Sequence, residues 1–235
     1  MNVYQLSKRL EKVAEFLPSQ AKFADIGSDH AYLPCYVCLR DPYAQAIAGE
    51  VNRGPYDSAL QEVKAQELQD RIEVRLGDGL EVLKRDEVDQ IVIAGMGGPL
   101  IRDILDRGKD KLTAVKRIIV QPNIGAKSLR KWFFEHGFSL VEETILEENN
   151  HIYEVLAAEP GDPHAGYHQE DLEKEMWLGP RLLEQRTAVF KEYCKVERVK
   201  KEKVLYQLKQ AKEPQLEKVN NLTQEINWLK EVLDS

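Results

Sequence analysis

A carboxylate, a glycine and several small or polar residues follow one another in the segment Asp25-Ile-Gly-Ser-Asp-His-Ala31. The segment comes directly after a short apolar run, which places it at a turn between a strand and a helix. Gly27 lets the backbone approach a ligand closely. Asp29 stands where a dinucleotide site would have glycine, and its negative charge disfavours a pyrophosphate. The pattern predicts binding of S-adenosylmethionine (SAM), which has no phosphate and carries cationic sulfonium and amino groups; an ordinary tight turn is the alternative.

Two further acidic residues stand at the ends of apolar runs. Glu50 ends the motif Ala48-Gly-Glu50, about 20 residues after the glycine turn, where nucleotide-binding folds have the acid that accepts the ribose hydroxyl hydrogens. Asp78 lies in Gly77-Asp-Gly-Leu80, where a carboxylate and neighbouring backbone N–H groups can read the nitrogens of an adenine. A solvated strand end is the alternative for Glu50, and a simple turn is the alternative for Asp78.

The fourth and fifth apolar runs end in residues that suit a flat base. The fourth ends in Ala94-Gly-Met-Gly-Gly98, which lacks the bulky side chains that would keep a base away from a methyl donor. The fifth ends in Gln121-Pro-Asn123, which places two amide side chains beside the same opening. Amides can hydrogen-bond the edge of an adenine. Capping of the next helix is the alternative for Asn123.

The elements that must position these motifs are seven short apolar runs. Segments able to form helices separate the first five, which predicts βαβ units and a parallel sheet with helices on both faces. The last two are separated by only about four residues, too few for a crossover helix, so they predict an antiparallel hairpin. We therefore expect an α/β fold with a Rossmann-like seven-strand sheet of the methyltransferase type. The runs are 22–26, 45–49, 72–76, 90–94, 117–121, 139–147 and 152–158.

Apolar spacing also predicts helices outside the sheet, at both ends of the chain. Prolines and glycines at 159–166 mark a boundary between a SAM-binding domain, residues 1–160, and a C-terminal part, residues 161–235. Two amphipathic helices separated by Pro214 predict a C-terminal helical coiled-coil hairpin. The apolar residues of the predicted N-terminal helix are Val3, Leu6, Leu10 and Val13. Those of the hairpin are Leu182, Val189, Tyr193, Val196, Val204, Leu208 and Ala211, then Leu216, Val219, Leu222, Ile226, Leu229 and Leu233.

The five motifs above, with the first extended to Pro34 and the fourth beginning at Ile93, together resemble the bacterial tRNA adenosine-22 N1-methyltransferase family. The resemblance extends over essentially the whole chain, including the C-terminal helices. It implies a class I SAM-dependent fold with SAM as the cofactor. It also implies that the acceptor is N1 of an adenine in the D-arm region of tRNA.

The resemblance assigns roles to residues of this sequence. Adenine N1 already has a lone pair and becomes cationic on methylation, so a carboxylate is needed more than a base, and Asp29 is the best candidate. His30 is the weaker candidate for removing a proton from the product. Residues expected at the catalytic centre are Asp29, Met96 and Asn123, with Gly95, Gly97, Gly98 and Gln121 also facing the base. Residues expected to bind SAM are Asp25, Gly27, Asp29, His30, Glu50, Asp78, Gly79, Ala94 and Gly95.

The charge distribution bears on the partner of the protein. The net charge of −7 lies entirely in the first 168 residues, since residues 169–235 hold 13 basic and 13 acidic residues. Within the acidic part, the window 102–131 holds nine basic and only three acidic residues. A locally basic surface suits a polyanion such as tRNA, whereas a solvated helix face is the alternative. The residues expected to bind RNA are Lys8, Arg9, Lys12, Lys127, Arg130 and Lys131.

Composition and cysteine usage bear on the class of protein. No stretch approaches the roughly 18 consecutive apolar residues of a membrane helix, and the N-terminus lacks the layout of a secretory signal. The three cysteines form no disulfide framework, and no second Cys or His pair accompanies Cys35-Tyr-Val-Cys38 at ligand spacing. We expect a cytoplasmic protein that binds no metal and no membrane, and a monomer is favoured.

Three other functions stay open at the level of sequence. A SAM-dependent methyltransferase could act on another acceptor, although the basic window and the C-terminal helices weigh against a small molecule. A non-catalytic nucleotide-binding or coiled-coil adaptor would use residues 181–235 for partners. An NAD(P)-dependent oxidoreductase would need a phosphate-cradling G-x-G-x-x-G loop, which the first motif does not have.

Overall fold

The structure is a computed structural model and describes residues 2–210 and 215–234. The strands in this part are β1 (Lys22–Ile26), β2 (Gln45–Glu50), β3 (Ile72–Leu76), β4 (Gln90–Gly97), β5 (Arg117–Ile124), β6 (Phe138–Glu148) and β7 (His151–Pro160). The α-helices are α1 (Lys8–Glu15), α2 (Tyr32–Arg40), α3 (Arg53–Ala65), α4 (Gly98–Arg107), α5 (Ala126–Glu135), α6 (Leu172–Leu178), α7 (Pro180–Gln185), α8 (Ala188–Lys209) and α9 (Leu216–Asp234).

The strands form one sheet in the order β3-β2-β1-β4-β5-β7-β6. Strands β1 to β5 run parallel, whereas β7 is antiparallel to both β5 and β6. The chain passes from β1 outward to β2 and β3, then returns to place β4 on the other side of β1. The switch point of the sheet, where ligands bind in open α/β folds, therefore lies between β1 and β4. The predicted Rossmann-like sheet with a terminal hairpin is confirmed.

The hairpin of β6 and β7 turns at Asn149 and Asn150. Their φ angles of 52° and 61° are both left-handed, as a two-residue turn of this kind requires. Asparagine adopts this conformation more readily than most residues. The pairing runs from Phe138 opposite Pro160 to Glu148, which puts the turn at the same sheet edge as the carboxyl ends of β1 to β5.

Hydrophobic cores fill both faces of the sheet. Along β4, Ile91 and Ile93 belong to the core under α4 and α5, and Val92 belongs to the core under α1, α2 and α3. All three side chains are fully buried. Because alternate residues of a strand point to opposite faces, a strand covered on both sides needs the continuous apolar run that the sequence shows.

The N-terminal helix begins later than the apolar spacing predicts. Ser7 caps α1, since its Oγ accepts a hydrogen bond from the N–H of Leu10 at 3.4 Å. Val3 and Leu6 are buried ahead of the helix, in a segment that is not helical. The N–H of Lys8 donates to the Glu148 carboxylate at 2.6 Å, which ties the start of α1 to the carboxyl edge of the sheet.

Helices α8 and α9 form the predicted antiparallel pair. Phe190 and Cys194, near the start of α8, share a buried cluster with Leu229 and Val232, near the end of α9. Ile145 of β6 belongs to the same cluster, so the base of the helical pair rests on the sheet.

Two details of the C-terminal prediction differ from the structure or lie outside it. Leu182 is not part of the long helix, because α7 ends at Gln185 and Arg186 adopts a left-handed conformation before α8 begins. Ala211 and Pro214 lie outside the described residues. Among the helices that are described, none is long and apolar enough to cross a membrane.

Candidate cofactor and methyl-acceptor site

The turn after β1 lies at the switch point and has an unusual backbone. Gly27 has a φ of 72°, and the three successive residues Asp29, His30 and Ala31 have left-handed φ angles of 43°, 68° and 55°. Non-glycine residues in this conformation store strain, and such strain clusters at functional sites. The N–H of Gly27 donates to the carbonyl of Gly49 at 2.9 Å, which holds the turn against the end of β2.

The carboxyl group of Asp25 is buried at the end of β1. Its Oδ2 accepts a hydrogen bond of 2.6 Å from the Ser28 hydroxyl. Burial raises the pKa of Asp25 to about 7, because the loss of water disfavours the carboxylate more than Ser28 favours it, and the nearby Glu50 adds to the rise. A cation bound beside Asp25 would reverse this effect.

Glu50 ends β2 and is also buried. Its carboxylate accepts a hydrogen bond from the backbone N–H of Asp29, so it fixes the strained turn. Its backbone carbonyl accepts a hydrogen bond of 2.8 Å from the N–H of Gly77. Burial raises the pKa of Glu50 above its usual value. Glu50 therefore joins the turn after β1 to the turn after β3.

A cavity of about 220 Å³ opens beside the turn after β1. Arg9 of α1 lines it together with Asp25 and Asp29. A guanidinium group and carboxylates around one cavity match a zwitterionic amino-acid group, since the carboxylates suit an ammonium and the guanidinium suits a carboxylate. The other lining residues are Leu10, Gly27, Ser28, Leu33, Ala94, Gly95 and Met96.

Gly27 and Met96 contact each other at the wall of this cavity. A Cβ added at Gly27 would lie 2.2 Å from the Cε of Met96, so a larger residue does not fit. Met96 lies in an irregular part of β4, where the register with β5 shifts on both sides of it. The bulge brings Met96 next to the glycine turn, where a methyl donor is expected.

Asp78 and Gly79 line a second, smaller cavity of about 70 Å³. The Asp78 carboxylate is paired with Arg107 of α4, with Nη1 and Oδ2 2.7 Å apart. Glu50 lines neither cavity, but its hydrogen bonds join the turn that lines the first cavity to the turn that leads into the second. This order suits a ligand with an amino-acid group at one end, a sugar in the middle and a base at the other end.

Two amide side chains of β5 hold the backbone of Gly95. Gln121 Oε1 accepts a hydrogen bond of 3.2 Å from the N–H of Gly95, and Asn123 Nδ2 donates one of 2.7 Å to its carbonyl. Gln121 is fully buried and also accepts a hydrogen bond from Arg9. The expectation that Gln121 faces the adenine is therefore wrong. Asn123 is exposed beside the mouth of the cavity, so its contact with the adenine stays a prediction.

The structure brings most of the predicted site residues together. Those that line the larger cavity are Asp25, Gly27, Asp29, Ala94, Gly95 and Met96. His30 lines neither cavity; its ring stacks on Tyr32 at 5.3 Å, and its Nε2 lies 3.5 Å from an oxygen of Asp29. Arg9 was missed as a cavity residue, because the sequence shows it only as one of several basic residues in an amphipathic helix.

The two cysteines of the Cys-x-x-Cys segment lie in α2, Cys35 in its first turn and Cys38 in its last. Both are buried, and burial raises the pKa of Cys35 to about 12 and that of Cys38 to about 11. The thiols are therefore protonated at neutral pH and pack as small apolar groups.

Arg130 does not lie on an RNA-accessible surface. It is fully buried and donates hydrogen bonds to Glu143 at 2.6 Å, to Glu154 and to the carbonyl of Trp177 at 3.2 Å. A buried guanidinium requires paired charges, and β6 and β7 supply them. The prediction that Arg130 binds RNA is therefore wrong.

The remaining basic residues of the window 102–131 lie on the surface in ion pairs. Each of the nine, Arg130 included, has a carboxylate oxygen no farther than 3.8 Å from a side-chain nitrogen. Exposed pairs of this kind contribute only about 0–1 kcal/mol each, so phosphate groups can replace the carboxylates. The surface is therefore less positive than its composition indicates, and RNA binding by its exposed lysines stays a prediction.

A family model described as tRNA (adenine(22)-N(1))-methyltransferase matches residues 23–231. The chain belongs to this family. A relative in the family, the tRNA (adenine(22)-N(1))-methyltransferase of Bacillus subtilis (strain 168), is 47% identical over 236 residues, which cover 100% of this chain and 99% of the relative. The family resemblance predicted from the five motifs is confirmed.

Solved structures of family members share the fold of this chain. The crystal structure of the B. subtilis m1A22 tRNA methyltransferase TrmK is similar with a TM-score of 0.93 and 46% identity, over 98% of this chain and 99% of that one. M. capricolum TrmK in complex with the cofactor product S-adenosyl-homocysteine (SAH) is similar with a TM-score of 0.81 and 26% identity. That similarity covers 97% of this chain and 98% of the M. capricolum chain.

Proposed function

We propose that this protein transfers a methyl group from SAM to N1 of adenosine 22 in tRNA. The observation that carries the proposal is the cavity at the switch point, where Arg9 faces two carboxylates beside the glycine-rich end of β4. Family membership supports the choice of acceptor, because the family is described by methylation of this nucleotide.

The residues around the two cavities fit SAM. Asp25 would bind its amino group and Arg9 its carboxylate. Glu50, which hydrogen-bonds the turns after β1 and β3, would bind its ribose, and the turn at Asp78 would bind its adenine. When bound, SAM supplies an electrophilic methyl group on a sulfonium. The bound ammonium group would keep Asp25 ionised in spite of its burial, because an opposite charge at short range lowers the pKa of a carboxyl group.

Methylation of the acceptor needs orientation of the adenine and stabilisation of its charge more than it needs a general base. Adenine N1 has a lone pair in the plane of the ring, and the base must leave its stack before N1 becomes accessible. The exposed backbone of Gly95 and the amide of Asn123 border the mouth that would receive it. Asp29, whose side chain is 73% exposed, lines the larger cavity and would stabilise the positive charge on the methylated base.

Replacement of Asp29 by asparagine removes the charge of the side chain and keeps the backbone conformation. Asp29→Asn keeps a residue that tolerates the left-handed φ, so we expect kcat to fall roughly 100-fold while the affinity for SAH changes little. Asp29→Ala should abolish turnover. Near-normal activity of either variant would contradict the role, and an equal loss of SAH affinity would assign the carboxylate to the cofactor instead.

The direct test is methyl transfer from labelled SAM to an unmodified tRNA transcript, followed by nucleoside analysis. We expect N1-methyladenosine, and no label in a matched transcript with guanosine at position 22. Label in both transcripts would indicate another position. Binding of SAM without label in any tRNA would keep the cofactor and point to a different acceptor, and absence of both would favour the non-catalytic adaptor.

Three further features belong to the same proposal. Residues 1–160 would carry SAM and the catalytic site, and residues 161–235 would help to hold the tRNA. A cytoplasmic location and a monomeric state agree with a tRNA substrate. Size-exclusion chromatography with light scattering tests the monomeric state.

A further inference from the structure

Two large apolar side chains are exposed at the rim of the mouth. Ile124, the last residue of β5, is 75% exposed, and Leu100, in the first turn of α4, is 51% exposed. Neither belongs to the hydrophobic clusters of the described residues. Single exposed apolar residues are common on surfaces, so their meaning depends on what surrounds them.

The turns that carry these side chains are locked together. Gly97 is the register partner of Ile124 in the sheet. A Cβ added at Gly98 would lie 2.3 Å from the carbonyl oxygen of Gly125, so only glycine allows this approach. Pro99 also approaches Gly125, since its Cδ lies 3.3 Å from where a Cβ added at Gly125 would be. The backbone that carries Ile124 and Leu100 is therefore rigid.

These two turns lie next to the site where the acceptor nucleobase is proposed to bind. Asn123, which directly precedes Ile124, holds the carbonyl of Gly95, and Gly95 lines the larger cavity. The apolar rim is thus continuous with the wall of the proposed SAM site. Two exposed basic residues lie close to the pair in the chain, Arg102 two positions after Leu100 and Lys127 three positions after Ile124. Apolar groups flanked by basic groups match nucleobases flanked by phosphates.

We infer that Ile124 and Leu100 form a wedge that enters the RNA base stack as the target adenosine leaves it. The inference rests on the proposed function. Extrusion of a base breaks its stacking and pairing, and apolar side chains inserted between base steps offset part of this loss. A wedge must be rigid to do so, and the glycine-sealed turns meet that requirement.

The test compares the double variant Ile124→Ala/Leu100→Ala with wild type and with the control Leu60→Ala, which truncates a similarly exposed leucine on α3. The measurements are the single-turnover rate of methyl transfer, SAH affinity and the fluorescence of tRNA with 2-aminopurine beside adenosine 22. We expect the double variant to lose most of the fluorescence rise and about 30-fold in rate. SAH affinity should be unchanged, and Leu60→Ala should behave as wild type.

A second substrate tests the mechanism of the loss. In a tRNA whose adenosine 22 is left unpaired by a change in the opposing nucleotide, extrusion costs less, so the double variant should recover at least about tenfold in relative rate. An equal defect on both substrates would overturn the wedge, as would an unchanged rate or a loss of SAH affinity. A wild-type dimer that the double variant dissociates would also overturn it and assign the patch to a second copy. Wild-type protein inactive on every tRNA would overturn the proposed function itself.

Discussion

Arg9 donates a hydrogen bond of 2.7 Å to the buried side-chain oxygen of Gln121, a residue 112 positions later in the chain. The same oxygen accepts a hydrogen bond from the N–H of Gly95. The first helix therefore reaches across the carboxyl edge of the sheet and helps to fix the end of β4. The side chain of Arg9 is 25% exposed, and the Tyr153 ring lies 5.7 Å from its guanidinium carbon.

Arg9→Ala should weaken binding of SAM and SAH. A charge-assisted hydrogen bond contributes about 1.5–3 kcal/mol, so we expect Kd to rise roughly 10- to 100-fold in isothermal titration calorimetry. Arg9→Lys should recover little of this, because an ammonium cannot replace the planar fork. Lys12→Ala, which removes an exposed cation from the same helix, is the control. A loss of tRNA affinity with unchanged SAH affinity would return Arg9 to the RNA surface.

Cofactor affinity should depend on pH through Asp25. Its pKa in the free protein is about 7, above the unfolded value, so binding of an ammonium group must expel a proton at low pH. We expect SAH affinity to fall about eightfold between pH 7.5 and pH 6, a dependence that Asp25→Asn should flatten. A pH-independent Kd in the wild type would contradict a contact between Asp25 and the ammonium.

The same pKa has a consequence for stability. Between about pH 4 and pH 7 the unfolded chain ionises Asp25 while the folded protein keeps it protonated, so this residue lowers the free energy of unfolding as pH rises through that window. Asp25→Asn should therefore stabilise the cofactor-free protein at pH 8 relative to pH 5. Urea unfolding at the two pH values measures the difference, and an equal effect at both would refute it.

Arg130→Ala should destabilise the fold. It would leave Glu143 and Glu154 as uncompensated charges between α5 and the hairpin, at a cost of about 3–5 kcal/mol in the free energy of unfolding. Lys131→Ala removes an exposed charge from the next position and should change stability by less than about 0.5 kcal/mol. Equal stability of the two variants in urea unfolding would show that the buried cluster contributes nothing specific.

Charge reversal at Lys127 and Lys131 should weaken tRNA binding and spare SAH binding. Each phosphate contact that is lost should reduce the slope of log Kd against log salt by about one. Lys116→Glu is the control, because Lys116 directly precedes β5 and so lies at the opposite edge of the sheet from the mouth. Filter binding over a salt series gives both quantities. Unchanged tRNA affinity in the double variant would remove this surface from the proposal.

The sequence by itself was enough to predict the family and the sheet, and six of the predicted site residues line one cavity. Strands covered on both faces must be apolar throughout, so β1 to β5 were visible as runs, and the short gap between β6 and β7 allowed only a hairpin. Because parallel strands place their carboxyl ends at one edge of the sheet, the sequence alone predicts that the motifs at Asp25, Glu50 and Asp78 belong to one site.

Only the tertiary structure decided which groups the basic residues contact. Lys127, Arg130 and Lys131 share one helix and look alike in sequence, yet Arg130 lies on the buried side, where Glu143 and Glu154 from two distant strands neutralise it. Arg9, which the sequence predicts only as an RNA-binding residue, lines the cavity beside the turn after β1. The apolar spacing of α5 places Arg130 on the same side as Ala126 and Phe133, but its partners come from segments far apart in the chain, which the spacing within one helix does not identify.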